Sequence, residues 1–67
     1  MVCMTDTKTV KRFMADLLAN DCECVLDLQA GTAEAKDGNI TVYKALQKGK
    51  GQPWIVAYEN TERIKFA

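Results

Sequence analysis

The spacing of apolar residues changes near residue 20 from a helical period to a strand period. Before this point, apolar residues recur at i, i+3, i+4, i+7 and i+8, which is the stripe of an amphipathic helix: Val10, Phe13, Met14, Leu17 and Leu18. After it, apolar side chains occupy alternate positions, as in a strand with one buried face: Cys22, Cys24, Leu26 and Leu28. The sequence therefore predicts an α+β domain that begins with one amphipathic helix.

The ends of this helix carry residues that commonly cap helices. Thr5 or Thr7 can accept a hydrogen bond from a free backbone N–H of the first turn. Asn20 tolerates the left-handed conformation in which many helices end. We therefore expect the helix to begin just after one of these threonines and to end at Asn20.

Three more strands are predicted after the first one, at residues 32–36, 40–46 and 54–59. Asp37-Gly38 favours a tight hairpin between the first two of these, because both residues tolerate positive φ. Residues 63–67 read as a short last strand with Ile64 and Phe66 on one face, unless Thr61 caps a helical turn instead. The predicted architecture is one N-terminal helix packed on an antiparallel meander of about four or five strands.

A chain of 67 residues forms one domain, here residues 1–67, with residues 1–4 expected to be a disordered tail. Such a short chain buries only about 60% of its unfolded surface, so a homodimer is a natural way to add stability. The predicted core consists of the helix stripe and one face of the strands: Val10, Phe13, Met14, Leu17, Leu18, Cys24, Leu26, Leu28, Val42 and Val56.

The three cysteines, Cys3, Cys22 and Cys24, indicate a reducing, cytoplasmic setting. The count is odd, and Cys22 and Cys24 point to the same face of one strand, where they are poorly placed to bridge each other. A zinc site usually takes four ligands, and the chain has no histidine. We expect no metal site and interpret both strand cysteines as core residues.

Catalytic groups are scarce, because the sequence contains neither serine nor histidine. The carboxylates of Glu23, Asp27 and Glu34 suit a solvated strand face. The segment from Lys48 to Gly51 lacks the spacing and the Ser/Thr of a Walker-type phosphate loop. We therefore expect no catalytic residue, no cofactor and no enzymatic activity.

No apolar stretch approaches the ~20 residues of a membrane span, and the amino terminus does not resemble a secretory signal. We expect no membrane partner.

Charge is divided unevenly, with three basic and six acidic residues in 1–34 and the reverse in 35–67. Lysines accumulate beside aromatic residues in the second half, a composition that favours a contact surface. The predicted binding residues are Tyr43, Lys44, Lys48, Lys50, Trp54 and Tyr58. Whether Trp54 is exposed or packed in the core is left open by the sequence.

Three functions fit this surface. The first is a small protein-interaction module or inhibitor that occupies the surface of a partner protein. The alternative is a single-stranded nucleic-acid-binding protein that uses Lys44, Lys48, Lys50 and Trp54. The second alternative is a structural homo-oligomer in which the acidic half of one copy meets the basic half of another.

In general appearance, a short chain with one helix, a meander and local charge resembles the small accessory and inhibitor proteins that phages and mobile elements carry. The resemblance is one of type and covers no specific motif. It implies a binding function and assigns no residue.

Overall fold

The computed structural model describes residues 3–62 and 64, with the side chain of residue 3 left out. The described chain forms β1 (Cys3–Thr5), α1 (Thr7–Ala19), β2 (Glu23–Asp27), β3 (Thr32–Asp37), β4 (Ile40–Gln47) and β5 (Trp54–Glu59). All strand pairs are antiparallel, and the strand order is β1-β5-β4-β3-β2. The predicted α+β fold, with an N-terminal helix on an antiparallel sheet, is confirmed.

The edge strand β1 has no counterpart in the sequence prediction, which placed residues 1–4 in a tail. Met4 pairs with Ile55 and Thr5 with Trp54, so β1 extends the sheet beyond β5. Three residues are too few to show an alternating pattern. The predicted last strand at residues 63–67 lies outside the described residues except for Ile64, whose N–H bonds to the carbonyl of Thr61 at 3.0 Å and whose side chain packs against the core.

The helix ends at Asn20 as predicted, but the N-cap and the left-handed residue each differ from the prediction by one position. Asp6, rather than Thr5 or Thr7, is the N-cap, and its carboxylate accepts the N–H of Thr9 at 2.8 Å. Asn20 is the C-cap but has φ −103°, and the left-handed residue is Asp21, with φ 66°. Asparagine and aspartate both tolerate this conformation, so the residue type alone does not fix the position.

The hairpin between β3 and β4 is present, with its turn one residue later than predicted. Asp37 pairs with Ile40 as the last ladder pair, and Gly38 and Asn39 form the two-residue connection. Gly38 has φ 67°, the positive value that a tight hairpin requires at its first turn position.

The core lies between α1 and one face of the sheet. Its buried residues are Val10, Met14, Leu17, Cys22, Ala33, Ala35, Val42, Tyr43, Ala45 and Trp54, and the residues partly buried against them include Phe13, Cys24, Leu26 and Val56. Eight of the ten predicted core residues are therefore in or against the core. The sequence prediction missed the three buried alanines, of which Ala33 and Ala35 lie in β3, a strand that contacts α1.

The two predicted core residues that lie outside the core are Leu18 and Leu28, which are 62% and 43% exposed. Leu18 lies about 80° around the helix from Val10, beyond the edge of the buried stripe. Leu28 follows the end of β2, where the carboxylate of Asp27 accepts the N–H groups of Gln29 and Ala30 and turns the chain. Alternation stops at that turn, so Leu28 does not continue the inward face of the strand.

Two β-bulges interrupt the alternation of β4 and β5. Ala35 pairs with Tyr43 but Lys36 pairs with Thr41, which leaves Val42 as the extra residue. As a result Val42 and Tyr43 are consecutive and both buried. Lys44 pairs with Tyr58 and Ala45 with Val56, which leaves Ala57 as the extra residue in β5.

No helix in the described residues has the length and apolar character needed to cross a membrane.

Candidate binding surface

Trp54 opens β5 and lies entirely in the core. Its side chain is 0% exposed, and its indole Nε1–H donates a hydrogen bond to the hydroxyl of Thr7 at 2.9 Å. The bond joins the first turn of α1 to the start of β5. Of the two positions that the sequence allowed for Trp54, the structure has the buried one.

Tyr43, another residue of the predicted surface, is also buried. Its ring meets Phe13 edge-to-face, with the centroids 4.7 Å apart and the planes at 63°. Burial, followed by the negative charge of Glu59, raises the pKa of Tyr43. Two of the three aromatic residues of the predicted surface thus face the helix.

The remaining four residues lie on two separate parts of the surface. Lys44 and Tyr58 are cross-strand partners, both exposed, on the face of the sheet opposite α1, which we call the outer face. Lys48 and Lys50 are exposed in the β4–β5 loop, residues 48–53. Lys48 is four residues beyond Lys44, about 13 Å at strand rise. The six predicted residues therefore do not form one surface in this structure.

The outer face presents large apolar side chains to solvent. Met4, Ile55 and Leu46 are successive cross-strand partners on β1, β5 and β4, and together we call them the apolar row. Met4 is 67% exposed, Leu46 is 41% exposed and Ile55 is half-buried. Helix α1 covers the opposite face, and nothing in the described residues covers this one. The row was not predicted from the sequence, because its outermost residue, Met4, belongs to the unpredicted strand β1.

A second row runs across the outer face beside the first. Tyr58, Lys44, Glu34 and Val25 are partners on β5, β4, β3 and β2. Glu34 also lies 4.0 Å from the ammonium of Lys36. The outer face thus combines an apolar row near the loop with a row that carries an aromatic ring and balanced charges, a composition suited to protein contact.

A groove adjoins the apolar row at Met4. It has a volume of about 450 Å³ and lies between residues 4–7 and residues 51–53. The side-chain amide of Gln47 donates to the carbonyl of Gln52 at 2.9 Å and holds the loop against the strand. The groove therefore joins the outer face to the loop that carries Lys48 and Lys50.

Charges on the described residues separate toward two ends of the molecule. The basic end comprises the first half of α1 and the β4–β5 loop, which the Thr7–Trp54 bond brings together. Its basic residues are Lys8, Lys11, Arg12, Lys48 and Lys50. Two acidic residues, Asp6 and Asp27, lie at the same end. The acidic end comprises the second half of α1 and the strand ends near Gly38; it includes Asp16, Asp21, Glu23, Asp37 and Glu59, together with Lys36. The uneven charge of the two halves of the sequence did not predict this division into a basic and an acidic end, because Lys8, Lys11 and Arg12 belong to the more acidic half, residues 1–34.

The described thiols are poorly placed for chemistry. Cys22 is buried, and the Cys24 thiol lies 3.5 Å from the carbonyl of Met14 in α1. Burial is the main cause that raises the pKa of both thiols; the charge of Asp37 adds to it at Cys22. A raised pKa keeps a thiol protonated and a weak nucleophile or metal ligand. The described residues contain no cluster of three potential metal ligands.

No protein-family model matches the chain, and no curated protein or solved structure is significantly similar to it.

Proposed function

We propose that this protein is a non-enzymatic interaction module or inhibitor, which acts by laying the outer face of its sheet on a partner protein. The observation that carries the proposal is the apolar row on the face opposite the helix, in which Met4 and Leu46 are exposed and Ile55 is half-buried. Burying such a row against a partner removes apolar surface from water at about 25 cal/mol per Å².

The neighbouring row supports a protein as the partner. Tyr58 supplies an aromatic ring at the margin of the apolar row, and Lys44 and Glu34 supply charges of both signs. Interfaces between proteins commonly have an apolar centre, aromatic contacts and a polar rim. Because the rim carries charges of both signs, it can orient a protein partner, whereas it has no excess positive charge with which to attract a polyanion.

The proposal also includes a non-enzymatic role and a cytoplasmic location, which are supported by the cysteines and by the composition of the sequence. A non-enzymatic role is supported by the protonated state of the core thiols and by the lack of serine and histidine in the sequence. A cytoplasmic location is supported by the free thiols of Cys22 and Cys24, which a reducing compartment maintains.

Site-specific photocrosslinking in the cells that produce the protein tests the contact surface. A photoreactive amino acid replaces Leu46 on the outer face or, as a control, the exposed Leu18 on the helix. The proposal expects one discrete adduct with another polypeptide from position 46 and none from position 18. The polypeptide is then purified and titrated with the protein.

Direct titration uses a matched pair of variants. Leu46→Glu should weaken binding by at least about tenfold, because it places a charge in the apolar centre of the interface, whereas Leu18→Glu should bind as the unchanged protein does. Equal loss in both variants would contradict the proposal. An adduct at twice the 7.5 kDa chain mass would instead identify a homo-oligomer, the structural function that the sequence also allows.

A further inference from the structure

Five cations at the basic end come from two elements that are far apart in sequence. Lys8, Lys11 and Arg12 are spaced i, i+3 and i+4, so they share one side of α1. The loop that carries Lys48 and Lys50 is held beside the helix start, because Thr7 bonds to Trp54 and residues 51–53 face residues 4–7 across the groove. The fold thus places the two basic segments at the same end of the molecule.

The helix part of this surface is concave. Lys8, Thr9 and Arg12 line an open groove of about 560 Å³. Lysine and arginine side chains bind phosphate oxygens, and a guanidinium can bind two of them at once. The groove is therefore suited to a phosphate that approaches the side of the helix.

The helix N-terminus itself is already occupied by an acidic side chain. Asp6 accepts the N–H of Thr9, and hydrogen bonds from Thr9 lower the pKa of Asp6, so its carboxylate stays ionised at neutral pH. An anion at the basic end would consequently meet the side chains of Lys8 and Arg12 rather than the helix terminus.

We propose that the basic end binds the sugar–phosphate backbone of duplex nucleic acid without reading its sequence. This activity is separate from the protein contact on the outer face. Five cations at one end of the molecule match a partner with regularly repeated phosphates, for which ionic contacts supply most of the non-specific affinity.

The surroundings of the cations favour nucleic acid over an acidic protein. Residues 8–12 and 48–53 include no large exposed hydrophobic side chain, and a protein interface normally needs an apolar centre. They favour a duplex over a single strand because Trp54 and Tyr43 are buried. Residues 8–12 and 48–53 themselves contain no aromatic residue, so the basic segments offer no ring for stacking on unpaired bases.

The acidic end does not cancel this attraction. Asp21 lies beyond the end of α1, and the helix alone spans about 17 Å from Lys8 to Ala19 at the rise of an α-helix. The Debye length at physiological ionic strength is about 8 Å, so exposed charges at that separation are largely screened from each other. Asp6 and Asp27 lie at the basic end itself and Asp16 is closer than Asp21, so these three carboxylates reduce the net attraction of the five cations without reversing it.

Fluorescence anisotropy with a labelled 20-base-pair duplex tests the proposal over a series of salt concentrations, starting at about 50 mM. With five phosphate contacts the slope of log K against log salt should be about −4.5. The double variant K8Q/R12Q should bind about tenfold more weakly at low salt and flatten the slope by about 2. Lys36→Gln removes a cation near the acidic end and should leave both quantities unchanged, and thermal unfolding checks that each variant is folded.

Three results would overturn the proposal. The first is the absence of duplex binding at 50 mM salt by the folded protein. The second is a loss of affinity in Lys36→Gln as large as that in K8Q/R12Q. The third is tighter binding to a single strand of the same sequence than to the duplex, which would identify a different ligand class.

Discussion

The indole N–H of Trp54 and the hydroxyl of Thr7 are hydrogen-bonded at 2.9 Å across forty-seven residues of sequence. Trp54 is among the largest fully buried side chains of the described chain. Its single polar atom would be unsatisfied without this bond, because an indole N–H buried away from water needs an acceptor. The bond therefore fixes where the helix starts relative to the sheet.

Thr7→Val should test this bond with little change in shape. The valine leaves the buried indole N–H without its acceptor, at a cost of about 1–3 kcal/mol, and the melting temperature should fall by several degrees. Thr7→Ser keeps the hydroxyl that accepts the indole N–H and should have a much smaller effect. Equal melting temperatures for the two variants, measured by circular dichroism, would contradict the structural role of the bond.

Ala35→Leu should destabilise the packing of helix on sheet. Ala35 is fully buried in β3, a strand that contacts α1. A leucine there overfills a packed layer, at a cost of about 1–3 kcal/mol. Ala15→Leu, on the exposed side of α1, should change the free energy of unfolding by less than about 0.5 kcal/mol. Urea denaturation of both variants provides the comparison, and a loss of similar size in Ala15→Leu would argue against a tight layer.

Gly31→Ala should be more damaging than other glycine substitutions. Gly31 has φ 72°, and an added Cβ would overlap the carbonyl oxygen of Gln47 in the adjacent strand. The carbonyl of Gly31 accepts the N–H of Gln47 at 2.8 Å, so the two segments cannot separate without losing a hydrogen bond. We expect a loss of at least about 2 kcal/mol.

The control for Gly31 is Gly38→Ala. Gly38 has a similar φ of 67°, but an added Cβ there has no neighbour within 4 Å. It should show only the cost of the left-handed conformation, about 1–2 kcal/mol. If Gly38→Ala is as destabilising as Gly31→Ala in urea denaturation, the close approach to Gln47 is not the cause.

The thiols of Cys22 and Cys24 should react slowly in the native protein. Serine replaces Cys3 so that only these two thiols are measured. Because burial raises both pKa values above the ordinary 9.0, we expect reaction with a disulfide reagent at pH 8 to be at least about tenfold slower than in urea. Fast labelling of both thiols without denaturant would contradict their placement.

The same shifts predict how stability changes at alkaline pH. The folded protein holds the two thiol protons to higher pH than the unfolded chain does. The contribution to stability is therefore complete below pH 9.0 and is lost as the pH rises through the raised folded values. The raised pKa of Tyr43 acts in the same direction above pH 10.0. The free energy of unfolding should be lower at pH 10.5 than at pH 8, as measured by urea denaturation.

Helices and strands in which the apolar pattern repeats several times were predictable from the sequence. The stripe from Val10 to Leu17 predicted α1, and alternation together with Asp37-Gly38 predicted β2, β3 and their hairpin partner. Strand β1 was not predictable in the same way, because Cys3–Thr5 is shorter than two periods. Its position depends on pairing with a strand fifty residues away.

The candidate site was harder to predict, because side-chain direction changes at the bulges. Val42 and Ala57 are each an extra residue, so alternation in β4 and β5 does not continue through the whole strand. A single period therefore could not place Tyr43, Trp54 and Tyr58, of which two are buried and one is exposed. The basic end escaped prediction because it depends on the tertiary contact between Thr7 and Trp54.

The burial of the only tryptophan in the sequence has a practical consequence for optical measurements. Its emission reports how the helix start is seated on β5, on the side of the sheet away from the outer face. A ligand on the outer face has no direct contact with the indole, so tryptophan emission follows unfolding, while ligand binding requires a separate label. The two processes can thus be followed at different wavelengths in one sample.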